Sequence, residues 1–507
     1  MVITPGNRSN CHQFLGVLEV LFPMATTDFF RARLDAMIDL RHPLAVLATR
    51  MPWAQIEANL APVFARRDRA GRAIEGADLF GPTMAVAGTG ISPAGRPRLS
   101  MRLMVALLYL KHAYNLSDDA VIERWAQDVY FQFFSGQEYF EARLPCDKAQ
   151  LSRFRKGLGE AGVEELLKTT IEASVAMGVV KKADLQRVIV DTTVQEKAIA
   201  HPTDSRLLEV ARAKIVRLAQ RAGIKLKLTH EREASALRRR AGGYAHARQF
   251  KRLRRVLRRQ RTLLGIVLRE VQRKMAELSQ PAQDKLNHWM ALAERIRTQR
   301  PKDKNKLYAL HAPEAECISK GKSRRPYEFG VKASIAVTHK QGLIVGARTF
   351  PGNPYDGHTL AEQIEQTTNL LQDIKVKPTT AIVDLGYRGV DHLVAAQIIH
   401  RGRFKTMSAQ QRKWLKRRQA VEPVIGHLKA DHGMDRCWLK GKEGDAVHTV
   451  LCAAGFNLRW LLRAIARYGL KAVYLCLMGV TAIVVAAVKW AAGHQRNNEF
   501  QLARAVG

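Results

Sequence analysis

The sequence predicts a mixed α/β protein whose sheet is interrupted by a helical insertion and preceded by a helical block. Three observations predict it. The β-branched run Val188-Ile-Val190 and the apolar run Ala381-Ile-Val383 each end in an aspartate, Asp191 and Asp384, as buried strands leading into a turn would. Between them, Tyr327, Phe329, Val331, Ala333, Ile335 and Val337 alternate with period two. From 203 to 300 apolar residues recur at helical spacing, and the polar positions are overwhelmingly basic.

The elements follow in order. Residues 1–94 form an extension and linker: 28–40 and 54–65 have helical spacing, and 71–95 is rich in Gly, Pro and Ala. The run 14–22 is broken by Glu19 and lacks a clean cleavage site, so no signal peptide is expected; Met24 is an alternative start. Residues 95–180 form a helical block. Ser100 is placed to cap a helix over 101–111, Ser117 one over 118–128, and 148–159 forms a third. Trp125, Tyr130, Phe131, Phe133, Phe134, Tyr139 and Phe140 fit its core. Short helices behind the basic lead-in Gly95-Arg-Pro-Arg fit a helix-turn-helix unit.

The first aspartate-bearing strand falls in 181–202 and the rest of that unit in 301–435, with the basic insertion 203–300 between them. After the alternating strand, a turn at 340–342 returns the chain through 343–350, giving a hairpin. Residues 358–371 are expected as helix, 390–400 as helix and 403–406 as a short strand. Residues 436–507 form a helical tail. Within it, 472–488 is uncharged and flanked by Lys471 and Lys489, at the short limit for a membrane span. A buried or partner-facing helix is the expectation there, and a membrane role is not.

Charge narrows the function. Lys plus Arg is 82 against 46 Asp plus Glu, a net charge of +36 and pI ≈ 10.3. Such a balance implies a polyanionic partner, and its spread along the chain favours nucleic acid over a membrane surface. The excess peaks between Leu237 and Thr262, with eleven Lys or Arg and no acid. A solvated helix face mixes signs because like charges one turn apart repel. Arg238, Arg239, Arg240, Lys251, Arg252, Arg254, Arg255, Arg258 and Arg259 are therefore candidate phosphate contacts. The six cysteines are scattered, with no Cys-x-x-Cys pair, which suits a reducing compartment. No P-loop and no His-Glu-x-x-His occurs, so neither nucleotide-driven work nor zinc proteolysis is supported.

A third acid joins the two aspartates. Arg418, Glu422, Gly426 and Lys429 fall at offsets of four, four and three, one face of a helix. Pro423 fits only if that helix starts near Ala420; otherwise the helix kinks. If the strands of Asp191 and Asp384 pair in parallel, both acids emerge at one sheet edge, where Glu422 can join them. Three converging carboxylates need cations, and Mg²⁺ or Mn²⁺ would suit oxygen donors.

At these residues the chain resembles bacterial insertion-sequence transposases of the DDE class, in the group typified by insertion sequence five. The likeness rests on Asp191-Thr-Thr-Val-Gln-Glu-Lys, on Asp384-Leu-Gly-Tyr-Arg-Gly and on Arg418-x3-Glu422-x6-Lys429. The block from Gly95 to Gly162 and the stretch Leu310 to Lys322 also resemble that family, so the likeness covers roughly residues 95–465. Two features depart: Leu415 stands where the family often has Tyr, and the gap between the first two acids is long. The resemblance implies an RNase H-like core in which Asp191, Asp384 and Glu422 are catalytic and hold two metal ions. Arg418 and Lys429 would contact phosphates or steady Glu422. It implies cutting of double-stranded DNA at the element's terminal inverted repeats and joining to target DNA, by a homodimer or higher oligomer in the cytoplasm at the nucleoid. An RNase H-like nuclease without strand transfer and an inactive DNA-binding protein are the alternatives.

Overall fold

The sheet is built from β1 (Arg187–Glu196), β2 (Glu316–Ser319), β3 (Tyr327–Thr338), β4 (Ile344–Phe350), β5 (Thr380–Ile382) and β6 (Gln397–Ile399). These come from a computed structural model that describes residues 32–64, 99–319, 326–389 and 394–469. The strand order is β2-β3-β1-β5-β6, with β4 also paired to β3. β1 is central: antiparallel to β3, parallel to β5, and β5 is parallel to β6. The β3–β4 hairpin matches the alternation, but β3 is buried on both faces from Gly330 onward. Its intervening positions are small or long-stemmed (Ser334, Ala336, Lys332), so they pack under helices instead of facing water.

Two expectations around β6 fail. Of the expected helix 390–400, residues 390–393 lie outside the described residues and Gln397–Ile399 is a strand. Ile398 and Ile399 are buried beside Ala381 and Ile382, and the open edge of β5 outweighs local helical spacing. The expected strand 403–406 instead lies in an exposed 3₁₀ segment, Arg401–Thr406, which carries Arg401, Arg403 and Lys405 and buries no side chain.

Helices α1 (Pro43–Arg50), α2 (Trp53–Leu60), α3 (Met101–Ala113), α4 (Asp118–Trp125), α5 (Val129–Phe134) and α6 (Lys148–Ala176) precede the sheet. Ser100 and Ser117 accept hydrogen bonds from the Leu103 and Ala120 amides (3.1 and 3.0 Å), as their cap positions require. α6 runs well past the expected 148–159, with Gly159 at φ 60° breaking its axis into two segments. Within 28–40 the described part holds only one helical turn, Leu34–Met37.

The insertion is built of four helices: α7 (Asp204–Arg221), α8 (Glu231–His246), α9 (Phe250–Lys274) and α10 (Gln280–Thr298). α7, α9 and α10 bury their own cluster, including Ala211, Ile215, Leu264, Val267, Val271 and Ala293. α8 packs on α9 through Ala234, Leu237, Ala241, Val256 and Leu263.

The chain closes with α11 (Asp356–Leu370), α12 (Ala409–Lys416), α13 (Val421–His432) and α14 (Gly441–Gly469). α14 is long and apolar enough to cross a membrane by length and composition alone. Here Cys452, Ala453, Ala454, Leu458 and Leu461 are buried in one apolar cluster with α1–α6 and the sheet. A Cβ on Gly455 would stand 2.5 Å from the His112 carbonyl carbon, so α14 presses directly on the α3 backbone. The apolar stretch 472–488 lies outside the described residues.

Candidate metal centre and nucleic-acid face

The parallel pairing of β1 and β5 sets the site. Val188 aligns with Ala381 and Ile189 with Ile382. Asp191 and Asp384 each follow by two residues, so they leave the sheet at the same level. Contrary to the sequence reading, Asp191 does not end its strand. β1 continues to Glu196 against β3, and only its β5 side opens, because β5 stops at Ile382. Asp384 lies just past β5 and caps a 3₁₀ turn, Leu385–Tyr387, accepting from the Gly386 amide at 2.8 Å.

α13 supplies the third acid. It begins at Val421, so Pro423 falls in the first turn, where its missing N–H costs no helical bond. Arg418 lies in the 3₁₀ segment Arg417–Ala420 immediately before it. Its guanidinium stands 3.5 Å from Asp191 Oδ2 and 3.6 Å from Glu422 Oε1, spanning the two carboxylates. The Glu422 side chain is 61 % exposed and that of Asp191 18 %, so the group opens to solvent on the α13 side. Nothing crowds Gly426, and the same helix face stays open there. Lys429 does not reach Glu422. It pairs with Glu328 of β3 at 3.5 Å, which ties α13 to the sheet.

Sequence reasoning missed a fourth acid. Asp356 opens α11, and its Oδ1 accepts from Lys332 Nζ (2.8 Å) and the Thr192 hydroxyl (3.0 Å). Its one visible signal was position, at a helix start just after β4. There it looked like an ordinary acid favoured by the helix dipole. Tyr387 completes the floor. Burial, with the charges of Asp191, Asp356 and Asp384, pushes its phenol well above the usual value, so it stays neutral. The donor set is all oxygen and mostly carboxylate, which fits a hard divalent cation.

A second group, His112, His448 and Cys452, brings three donor atoms within 4.8 Å of one another in the core. His448 Nε2 lies 3.0 Å from the Gly433 carbonyl, which can only accept, so that nitrogen carries the proton and has no lone pair for a metal. His432 Nδ1 makes a similar bond to the His112 carbonyl at 2.9 Å. These histidines fasten the end of α13 to α3 and α14.

The basic candidates on α8 and α9 lie on one helical hairpin. Arg238, Arg239, Arg240, Lys251, Arg252, Arg254, Arg255, Arg258 and Arg259 are all exposed. Arg259 is held by Glu233 (2.6 and 3.1 Å), so its charge is partly answered within the protein.

Comparison with known proteins finds two transposase-domain families. The family described as Transposase domain (DUF772) matches residues 80–157, and the Transposase DDE domain matches 293–458. The second match includes Asp384 and Glu422. It excludes Asp191, which the basic insertion separates from it in sequence. The uncharacterized protein ORF8 in the nfe locus of Rhizobium meliloti is 43 % identical over 223 residues, 44 % of this chain and 95 % of that protein. No solved structure matches the chain. The chain belongs to the insertion-sequence DDE transposases.

Proposed function

We propose that this transposase cuts the ends of its element and joins them to target DNA by two-metal-ion phosphoryl transfer at Asp191, Asp384 and Glu422. The observation that carries the reading is the common level of Asp191 and Asp384 on paired parallel strands, with one guanidinium spanning Asp191 and Glu422. Bound Mg²⁺ or Mn²⁺ supplies activation of the attacking oxygen and neutralises the leaving one. The three carboxylates hold that charge at the open edge of β1. In the first step water adds to the scissile phosphorus and the bond to the 3′-oxygen breaks, leaving a 3′-hydroxyl. In the second, that hydroxyl adds to a target phosphorus and displaces the target's own 3′-oxygen. Arg418 neutralises Asp191 and Glu422 before DNA arrives and turns toward phosphate when it does. Lys429 acts through Glu328, steadying α13.

The exposed arginines of the α8–α9 hairpin hold the DNA backbone, and the enzyme works as a homodimer or higher oligomer in the cytoplasm at the nucleoid. The test is Asp384→Asn, assayed with labelled element ends and a target plasmid. Loss of Mg²⁺-dependent cleavage with end binding retained is expected. Undiminished cleavage overturns the assignment, and cleavage by the parent enzyme without joined products makes it a nuclease.

A further inference from the structure

Asp356 is placed with more care than a helix-start acid requires. Its Oδ1 is held from two sides, by Lys332 of β3 and Thr192 of β1. Lys332 Nζ also donates to the Pro354 carbonyl at 2.6 Å, which fixes the turn that delivers α11. With Oδ1 anchored, Oδ2 faces the Asp384 turn. A Cβ built on Gly386 would stand 3.1 Å from Asp356 Oδ2 and 3.0 Å from Asp384 Oδ1. Both carboxylates therefore approach the same point, and a side chain at 386 would crowd them.

An independent observation points to a ligand in this space. Tyr387 is fully buried, and among the described residues its hydroxyl makes no hydrogen bond of good geometry, with only the Thr359 side chain close to it. The nearby Thr359 hydroxyl donates to the Asp356 carbonyl at 2.7 Å, so toward Tyr387 it can only accept. Tyr387 lies among the charges of Asp191, Asp356 and Asp384. A buried hydroxyl left this way is uncommon and asks for a polar occupant, such as a metal-bound water.

We propose that Asp356 is a fourth carboxylate of the metal centre, with Lys332 and Thr192 holding Oδ1 so that Oδ2 takes the ion, directly or through one of its waters, on the Asp384 side. This rests on the metal-site reading of Asp191, Asp384 and Glu422. Asp356 limits where the ion beside Asp384 can sit, and Lys332 is a positioning residue acting through it.

The test uses the full chain and Mn²⁺ as probe, with binding followed by calorimetry and by the Mn²⁺ electron paramagnetic resonance signal in the absence of DNA. Asp356→Asn keeps the acceptor for Thr192 and Lys332 and removes the charge. It is expected to weaken Mn²⁺ binding by about 10- to 100-fold, the range for changes around a metal ligand, with some fall in the unfolding temperature of the metal-free protein because Lys332 loses its charged partner. Lys332→Met is expected to weaken Mn²⁺ binding less, by freeing Asp356 to turn. Parent-like Mn²⁺ affinity in Asp356→Asn, alongside loss in Asp384→Asn, overturns the role of Asp356 alone. Parent-like affinity in both variants overturns the metal-site reading itself. A lowered unfolding temperature with unchanged Mn²⁺ affinity makes Asp356 a structural residue and also overturns the proposal.

Discussion

The Arg418 guanidinium lies 3.5 Å from Asp191 while remaining within one turn of Glu422. A cation there occupies the position between carboxylates of the strand and the helix. Removing it leaves those two acids facing each other and takes away a donor for phosphate. Arg418→Ala is expected to lower strand cleavage by about 100-fold or more, the usual loss when one charge-stabilising donor is removed. Arg418→Lys is expected to recover only part of it, because an ammonium cannot span two carboxylates as a planar fork does. Single-turnover cleavage of labelled ends checks both, and parent-like rates in Arg418→Ala contradict them.

The α8–α9 hairpin carries exposed cations on two packed helices. Converting Arg254, Arg255 and Arg258 together to Gln leaves Val256 and Leu263 packed and removes charge only. DNA affinity is expected to fall for all sequences alike. The slope of log affinity against log salt is expected to shrink by about 0.9 for each phosphate that the protein no longer neutralises. Arg259→Gln alone is expected to do less, because Glu233 already answers that charge. Fluorescence anisotropy across a potassium chloride series decides it, and an unchanged slope removes the hairpin from the DNA face.

Much of this was legible in the sequence, for local reasons. Val188 to Val190 and Ala381 to Val383 are short apolar runs, so both strands were visible before their pairing. The caps at Ser100 and Ser117 and the basic helices follow from spacing within one turn. What stayed hidden depends on residues distant in sequence. β6 is a strand because β5 offers it an edge. Lys429 finds Glu328 across the sheet instead of Glu422 on its own helix. Asp356 joins the acids only because Lys332 and Thr192, on two other strands, hold it there. The position of Pro423 was resolved by the start of α13 at Val421, which spacing allowed without requiring.

Acid is expected to loosen the junction of α3, α13 and α14. Burial lowers the pKa of His432 and of His448 to about 4, and that of His112 well below its usual value. In the unfolded chain these groups take a proton near 6.5. Between about 4 and 6.5 the unfolded state binds more protons, so stability rises with pH in that window. The contribution is complete above 6.5 and is lost as pH falls toward 4. The slope is at most about 1.4 kcal/mol per pH unit for each histidine. Urea unfolding at pH 7, 6 and 5 is expected to show a falling midpoint, less steep in His448→Gln. A flat profile would mean that these rings take up protons at the same pH in the folded protein as in the unfolded chain.

Lys197 ends the stretch that begins with Asp191, and it is buried with Asp445 at 2.6 Å and Glu314 at 2.7 Å. Burial alone would lower its pKa, but the hydrogen bonds and charges of Asp445 and Glu314 raise it, so the ammonium stays charged. Next to it, Gln195 donates to the Asp445 carbonyl (3.0 Å) and accepts from Thr449 (2.6 Å). The far end of β1 is thereby fastened to α14. Lys197→Met fills similar space and strands two acids in the core. It is expected to cost about 3–5 kcal/mol, the range for breaking a buried ion pair from one side. A triple change of Lys197 to Met, Asp445 to Asn and Glu314 to Gln is expected to recover most of that loss, because no buried charge is then left unpaired. Urea unfolding of the single and triple variants measures both effects. A single variant as stable as the parent would show that this triad does not anchor β1.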